Sequence, residues 1–140
     1  MAYWLLKTEP EEFSWDMQVK RGPKGEPWGG VRAHPAKQNL ARMKKGEKGF
    51  FYHTGDERQI VGIVTIAKEA FPDPTAEEGS PWVAVQTVAD EPFKTPVTLA
   101  QIKADPKLKD MVLVRLGRLS VQPVTDAEWK HICKLGGVKA

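Results

Sequence analysis

Apolar and aromatic residues along this chain gather in short runs, and five of these runs have the composition of β-strands. Each run is rich in β-branched or aromatic side chains, which favour a pleated, half-buried surface. The predicted strands are residues 3–6, 50–53, 60–67, 82–88 and 119–124. In the third run both alternating faces are apolar, with Ile60 and Val64 on one face and Val61 and Ile63 on the other. This pattern predicts a strand that is covered on both sides, as inside a barrel.

Helix signals stand between the predicted strands. The predicted helices follow Ser14, span residues 35–45, follow Thr98 and follow the capping box at residues 125–128. Each capping residue carries a side-chain oxygen that can accept a hydrogen bond from a free backbone N–H at the helix start. The helix at residues 35–45 begins with a proline, and Gly46 is its predicted terminator.

The order of these elements indicates an α+β fold. Strands that alternate with short helices, without a regular βαβ rhythm, point to a small barrel and not to a doubly wound sheet. No repeat, low-complexity tract or linker interrupts the sequence, so residues 1–140 are predicted to form a single domain. A chain of this length removes roughly two-thirds of its unfolded surface from water, which suffices for a core without a metal or a disulfide.

Composition and charge narrow the class of protein only slightly. A net charge of +3 permits contact with phosphates, but it is too small for a purely electrostatic binder. Cys133 is the only cysteine, which excludes an internal disulfide and favours a reducing compartment. The apolar run at the N-terminus is too short for a signal peptide or a membrane span. We therefore expect a cytoplasmic monomer with no membrane partner.

Motifs of known catalytic or metal-binding chemistry are absent from the sequence. It has no phosphate-cradling glycine motif, no HExxH and no nucleophile elbow. His34, His53 and His131 are far apart, and none has an acidic residue or cysteine at metal-ligand spacing. Cys133 falls on the apolar face of the last helix, where a buried and inert thiol is expected. The sequence thus predicts no metal, no cofactor and no enzymatic activity.

Aromatic residues carry the clearest functional signal. Five tryptophans are many for a chain of 140 residues, and most of them are expected in the core. Trp28 differs, because it lies between a Gly/Pro-rich loop and Gly29-Gly30. This context favours the rim of a functional site over a packed interior. Trp28 is therefore the first candidate for a ligand contact.

Several segments resemble blocks of the EVE domain family. The resemblance begins with YWLLKTEP at residues 3–10 and FSWD at residues 13–16. Later blocks follow in order, namely WGGVR at 28–32 with Asn39-Leu40, GFFYHT at 49–54, IVGI at 60–63, FPDPT at 71–75, PVTL at 96–99 and RLSV at 118–121. On these residues, which span nearly the whole chain, the sequence is identified as a member of the EVE family.

The resemblance implies both a fold and a ligand. The fold is of the PUA-like class, a twisted β-barrel surrounded by short helices, in agreement with the predicted element order. EVE domains are related to YTH domains, which hold a methylated adenine of RNA in an aromatic cage, and are associated with modified cytosines in DNA. The expected partner is therefore nucleic acid, either modified DNA or modified RNA. The expected function is that of a non-enzymatic module that holds a modified base in an aromatic pocket.

The resemblance also implies which residues form the pocket. Trp28 is similar in position to a cage tryptophan of the YTH relatives, and Lys7 with Thr8 matches the segment along the same pocket. The other expected pocket residues are Asn39, Tyr52, His53, Thr54, Leu119 and Ser120. Stacking on one aromatic face contributes only about 1–3 kcal/mol, so a second wall is needed, for which Tyr52 and Trp15 are the candidates. The cations expected to contact phosphates are Lys7, Arg32, Lys37, Arg115 and Arg118.

The chain departs from the family pattern at three places beside this pocket. The family usually has aspartate in place of Gly29, serine in place of Thr8, and Asn-Tyr-Gln-Ala-Arg where residues 33–37 read AHPAK. These departures bear on which base is preferred and on whether Lys37 replaces an arginine at a phosphate.

Two other functions stay open on the sequence. One is an enzyme that acts on RNA or a nucleotide, with His53 as its base and Lys7 or Glu9 nearby. The other is a protein-interaction scaffold whose pocket is vestigial, which the substitutions at residues 29–37 suggest. Turnover of an oligonucleotide would distinguish the enzyme from a binding module. A base bound at the Trp28 site would distinguish a binding module from the scaffold.

Overall fold

Six strands form one sheet in the computed structural model, which describes residues 1–139. They are β1 (Tyr3–Thr8), β2 (Glu26–Trp28), β3 (Lys48–His53), β4 (Gln59–Pro72), β5 (Val83–Thr98) and β6 (Val121–Val124). Their order across the sheet is β2-β5-β4-β3-β1-β6. β1 runs parallel to β3, and the other neighbours are antiparallel. The predicted strands are confirmed. The strands predicted at residues 60–67 and 82–88 are β4 and β5, and both continue well beyond their predicted ends.

Short helices surround the sheet. They are α1 (Trp15–Lys20), α2 (His34–Arg42), α3 (Leu99–Ala104), α4 (Val112–Arg115) and α5 (Asp126–Gly136), with a 3₁₀ turn at Gly22–Lys24. The hydroxyls of Ser14, Thr98 and Thr125 cap α1, α3 and α5, which confirms the three capping signals. Gly46 does not end α2 as predicted, because the helix stops at Arg42 with an extended Met43 behind it. No helix within residues 1–139 is long and apolar enough to cross a membrane.

Both faces of the sheet are buried, and each face has its own apolar cluster. Leu5 and Phe50 pack on the face that α3, α4 and α5 cover. Their chain neighbours Leu6 and Phe51 pack on the opposite face, beneath α2. Successive side chains of a strand point to opposite faces, so an apolar run without alternation contributes to two clusters. The prediction that the strand at residues 60–67 is covered on both sides is confirmed, because its side chains enter both clusters.

β4 distributes its side chains differently from the predicted alternation. Ile60 and Ile63 pack into one cluster, whereas Val64 and Ile66 pack into the other. The pairing of β4 shifts register between Ile60 and Gly62 against both of its neighbours, β3 and β5, so that Val61 is an extra residue in β4. Such a β-bulge moves the side chains that follow it to the other face. Placing Ile60 and Val64 on one face was therefore wrong.

Helix α2 completes a barrel-like shell around the second cluster. β2 and β6 are the outer strands of the sheet, and α2 contacts β4, β5 and β6. The side-chain amide of Asn39 donates to the carbonyl oxygen of Val121 in β6 at 2.7 Å. Ala36 and Leu40 of the same helix are fully buried in the cluster. This arrangement of a curved sheet and short helices agrees with the fold that the sequence resemblance implies.

Candidate functional site

A cleft of about 780 Å³ opens where β1 ends. Its walls come from the end of β1 with the turn that follows, from β2 with its following loop, and from the loop before β6. The volume lies within the range of pockets that hold small ligands. Of the residues expected from the sequence, the cleft brings together Lys7, Thr8, Trp28, Thr54 and Ser120 with the cations Arg32 and Arg118.

Two aromatic rings form a corner of this cleft. Trp28 is only 7% exposed and belongs to the cluster beneath α2, so the expectation of a rim position outside the packed interior was wrong. It lines the cleft from the core and packs edge to face on Phe51, with 5.4 Å between the ring centroids and an interplanar angle of 87°. Phe13 also lines the cleft and meets Trp28 at 6.0 Å and 80°. Phe13 belongs to the FSWD block but was not expected at the site. Since the two rings are nearly perpendicular, a flat base can stack on one of them while it touches the edge of the other.

The rings expected to form a second wall lie outside the cleft. Trp15 packs edge to face on Phe51 at 5.3 Å and covers Gly62, where a Cβ atom would come within 2.6 Å of the indole. Tyr52 lines a separate pocket of about 210 Å³, in which burial raises the pKa of its phenol. In this conformation neither ring faces a ligand bound against Trp28.

Three further residues expected at the pocket have structural partners instead. The amide of Asn39 ties α2 to β6, and Leu119 packs at the edge of the cluster beneath α2. His53 uses both ring nitrogens, because Nε2 accepts from the backbone N–H of Trp15 at 3.0 Å and Nδ1 lies 2.8 Å from the Glu57 carboxylate. A ring with one accepting nitrogen and its proton toward a carboxylate is the neutral tautomer. This geometry leaves no nitrogen of His53 free to act as a base.

The hydroxyl of Thr8 is oriented by the backbone around it. It donates to the carbonyl oxygen of Phe13 at 2.9 Å. A hydroxyl has a single proton. Thr8 therefore offers a ligand in the cleft only acceptor lone pairs.

Asp73 anchors the loop that follows Trp28. Its carboxylate, which is buried, accepts hydrogen bonds from the N–H of Gly30 at 2.7 Å, the N–H of Thr75 at 2.8 Å and Arg32 Nη1 at 2.9 Å. Burial opposes ionisation, but these donors prevail and lower the pKa of Asp73 to about 2. The FPDPT block contains Asp73, yet no local signal in the sequence links it to the loop of Trp28.

Gly29 allows this loop to lie directly on the carboxylate. A Cβ atom at position 29 would stand 2.4 Å from Asp73 Oδ1, closer than any real contact. The aspartate that the family usually carries here would also bring a second negative charge against Asp73. In this chain, glycine at position 29 is thus required by the close approach of the loop.

Charges of both signs line the cleft. Its cations are Lys7, Arg21, Arg32 and Arg118, and its carboxylates are Glu9, Glu12 and Glu26. Arg21 pairs with Glu26 at 2.8 Å, and Arg32 is held by Asp73. Arg118 is exposed, and its guanidinium takes part in none of the hydrogen bonds or ion pairs found within residues 1–139. Arg118 is therefore the lining cation best able to bind a phosphate group.

Two of the expected phosphate contacts lie elsewhere, and one lining cation is tethered. Arg115 is exposed but does not line the cleft, and its Nε donates to the carbonyl oxygen of Asp110 at 2.8 Å. Lys37 is half-buried on α2, also outside the lining. Lys7 lines the cleft, donates to the carbonyl of Gly117, and has its pKa lowered by burial.

Comparisons with known proteins agree on one family. A family model, the EVE domain, matches residues 2–135. Human thymocyte nuclear protein 1 is 34% identical to this chain over 96% of its length and 73% of the human protein. A solved structure from Rhodopseudomonas palustris is 53% identical, with a TM-score of 0.92, and the match covers 98% of this chain and 94% of that one. The crystal structure of human THYN1 in complex with DNA containing 5-methylcytosine has a TM-score of 0.88 and 32% identity, with 100% of both chains covered.

Proposed function

This chain belongs to the EVE domain family, and from that premise we propose that it binds DNA and holds 5-methylcytosine in the cleft beside Trp28. One observation carries the proposal. A cleft of about 780 Å³ with an aromatic corner and the exposed Arg118 lies in a chain that matches, over its full length, a protein crystallised with 5-methylcytosine DNA.

The groups around the cleft suit a cytosine ring. A base that stacks in the corner formed by Trp28 and the half-buried Phe13 gains about 1–3 kcal/mol, comparable with the cost of removing it from a duplex stack. Cytosine presents its amino group as a donor. Thr8 presents an acceptor to the cleft, because its proton is given to Phe13. Ser120, which also lines the cleft, supplies a second hydroxyl for the ring edge.

The methyl group itself contributes little to affinity. Burial of one methyl against an apolar wall contributes about 0.8 kcal/mol, which is about fourfold in affinity. A stronger preference requires a polar group that is left unpaired when the mark is missing. The cleft is therefore expected to capture cytosine bases in general, with a modest preference for the methylated form.

Fluorescence anisotropy with matched oligonucleotides tests this proposal. The oligonucleotides carry cytosine, 5-methylcytosine, 5-hydroxymethylcytosine or a methylated adenine at one position. We expect the tightest binding to 5-methylcytosine, and at least about tenfold weaker binding after Trp28→Ala, since most of a stacking contact is lost. Trp28→Phe, which keeps an aromatic ring in the core, is expected to lose less.

Trp129→Phe is the matched control, because Trp129 is fully buried against the opposite face of the sheet. It makes the same chemical change away from the cleft and is expected to leave binding intact. Thermal unfolding of each variant separates loss of the site from loss of the fold. Equal, weak, salt-sensitive binding to all four oligonucleotides, unchanged in a folded Trp28 variant, would contradict the proposal.

Arg118 and Arg115 form a second matched pair. Both are exposed arginines close in sequence, but only Arg118 lines the cleft. Arg118→Ala is expected to weaken binding to every oligonucleotide and to reduce the slope of log affinity against log salt by about 1, because one phosphate contact is lost. Arg115→Ala is expected to change the slope much less. The same titrations at several salt concentrations measure both, and equal slopes in the two variants would contradict the assignment.

The alternative functions receive no support from a specific contact. An enzyme that uses His53 as a base needs a free ring nitrogen, and both nitrogens are engaged. A vestigial pocket predicts no bound base beside Trp28 in a crystal soaked with the modified nucleoside. Oligonucleotides that remain intact by mass spectrometry after incubation with the protein would support a binding module. The cytoplasmic address, the monomeric state and binding to RNA stay predictions.

A further inference from the structure

Leu116 lies in the loop between α4 and β6 with 53% of its surface exposed. It is one of four large hydrophobic residues exposed within residues 1–139, together with Met1, Val19 and Leu135. A single exposed leucine is common in soluble proteins, so exposure alone assigns no role. The loop that carries Leu116 is what distinguishes it from the others.

The backbone of this loop is fixed from both sides. The N–H of Leu116 donates to the carbonyl oxygen of Val112 at 2.7 Å. The carbonyl oxygen of Leu116 accepts from the N–H of Leu119 at 3.0 Å and from the amide of Gln122 at 3.3 Å. Gln122 is itself fully buried, so this second anchor belongs to the core. An exposed apolar side chain on a preorganised backbone loses little freedom when it enters a partner.

The loop also connects Leu116 to the proposed base site. Gly117, Arg118 and Ser120 line the cleft, so the chain passes from Leu116 directly into its wall. The ammonium group of Lys7 donates to the carbonyl of Gly117 and fixes that wall to β1. Arg118, which is exposed, follows Leu116 two residues later in the sequence. An exposed apolar side chain with a free cation and a base-sized cleft beside it is complementary to a stacked duplex with its phosphates.

We propose that Leu116 is a wedge that enters the base stack of duplex DNA and fills the space left by a base that moves into the Trp28 cleft. The inference rests on the proposed function and extends it to the substrate class, which is duplex and not single-stranded DNA. Extrusion of a base breaks stacking on both of its neighbours, and an apolar side chain between those neighbours restores contact and excludes water. A single strand has no closed stack to fill, so Leu116 contributes little there.

The test compares duplex and single-stranded forms of one labelled oligonucleotide with a single 5-methylcytosine. Leu116→Ala is expected to weaken duplex binding about tenfold and to change single-strand binding by less than about twofold. Leu116→Phe is expected to bind the duplex as the unaltered protein does, because a larger apolar side chain still fills the gap. In the duplex, 2-aminopurine beside the modified base brightens on binding of the unaltered protein, and less so with Leu116→Ala.

Leu135→Ala is the matched control, since Leu135 is an exposed leucine on α5, whose residues do not line the cleft. It is expected to bind both forms as the unaltered protein does. Equal effects of Leu116→Ala on duplex and single strand, or no effect on either, overturn the wedge while the base site stands. Binding by the unaltered protein to the single strand alone overturns it as well. Failure of the unaltered protein to bind either form overturns the proposed function, and the wedge with it.

Discussion

Asp73→Ala is expected to lower the free energy of unfolding by about 1–3 kcal/mol and to abolish binding of the modified base. The buried carboxylate accepts the N–H groups of Gly30 and Thr75 and pairs with Arg32. Its removal leaves these donors without their acceptor and releases the loop that follows Trp28. Urea denaturation measures the first effect, and oligonucleotide anisotropy at low temperature measures the second.

Asp90→Ala is the control for this variant. Asp90 also forms an ion pair, with Lys48 at 2.9 Å, but both side chains are about one-third exposed. Exposed pairs contribute about 0–1 kcal/mol, so this variant is expected to unfold nearly as the unaltered protein does. Similar losses in the two variants would show that Asp73 is not a special anchor.

The contribution of Asp73 also has a defined pH dependence. Its pKa lies at about 2 in the folded protein, below the ordinary value of 3.8. A lowered pKa means that the ionised carboxylate of Asp73 stabilises the folded state. This stabilisation is fully present above about pH 4 and is lost as the pH falls from about 4 through 2. The difference in unfolding free energy between the unaltered protein and Asp73→Asn should therefore shrink between pH 6 and pH 2.5. A difference that is constant with pH would contradict the assignment.

Trp129→Ala is expected to lower the free energy of unfolding by about 3–5 kcal/mol without altering the base site. Trp129 is fully buried and stacks between two rings, Tyr3 at 4.3 Å and Phe50 at 3.9 Å, with interplanar angles of 13° and 15°. Truncation removes the central ring of this stack and leaves a cavity. Denaturation measures the loss, and the folded fraction should bind oligonucleotides with unchanged affinity.

Trp129→Phe separates packing from hydrogen bonding at the same position. The indole Nε1 is buried, and within residues 1–139 it has no hydrogen-bond partner. Replacement by phenylalanine keeps an aromatic ring between Tyr3 and Phe50 and loses no hydrogen bond. The expected cost is below about 1.5 kcal/mol. A cost equal to that of Trp129→Ala would show that the indole itself, and not stacking, holds this cluster together.

Elements with local signals could be predicted from the sequence. Ser14, Thr98 and Thr125 cap helices because their hydroxyls meet N–H groups three residues away, an interaction that is visible in the sequence alone. The register shifts of β4 could not be predicted, because they depend on its pairing with β5. The same limit applies to Asp73, whose bond to Gly30 joins residues 43 positions apart.

The family resemblance identifies segments, whereas the side chains of a segment that reach the cleft depend on the face of the strand on which they lie. The block at residues 49–54 does reach the cleft, through Thr54. Tyr52 and Phe51 are adjacent on β3 and face opposite sides of the sheet. Phe51 contacts Trp28, so Tyr52 must point away from it. Strand alternation alone therefore argues against Tyr52 as the second wall. The position of the Phe13 ring at the cleft could not be predicted in this way, because it depends on how the turn after β1 folds back.

Gly29 and Asp73 form a coupled pair in which one residue limits the other. A side chain at position 29 fits only if the loop of Trp28 moves away from the sheet or if residue 73 becomes smaller. Asp73 therefore acts on the site in two ways, because its carboxylate holds the loop through the N–H of Gly30 and its volume excludes a side chain at position 29.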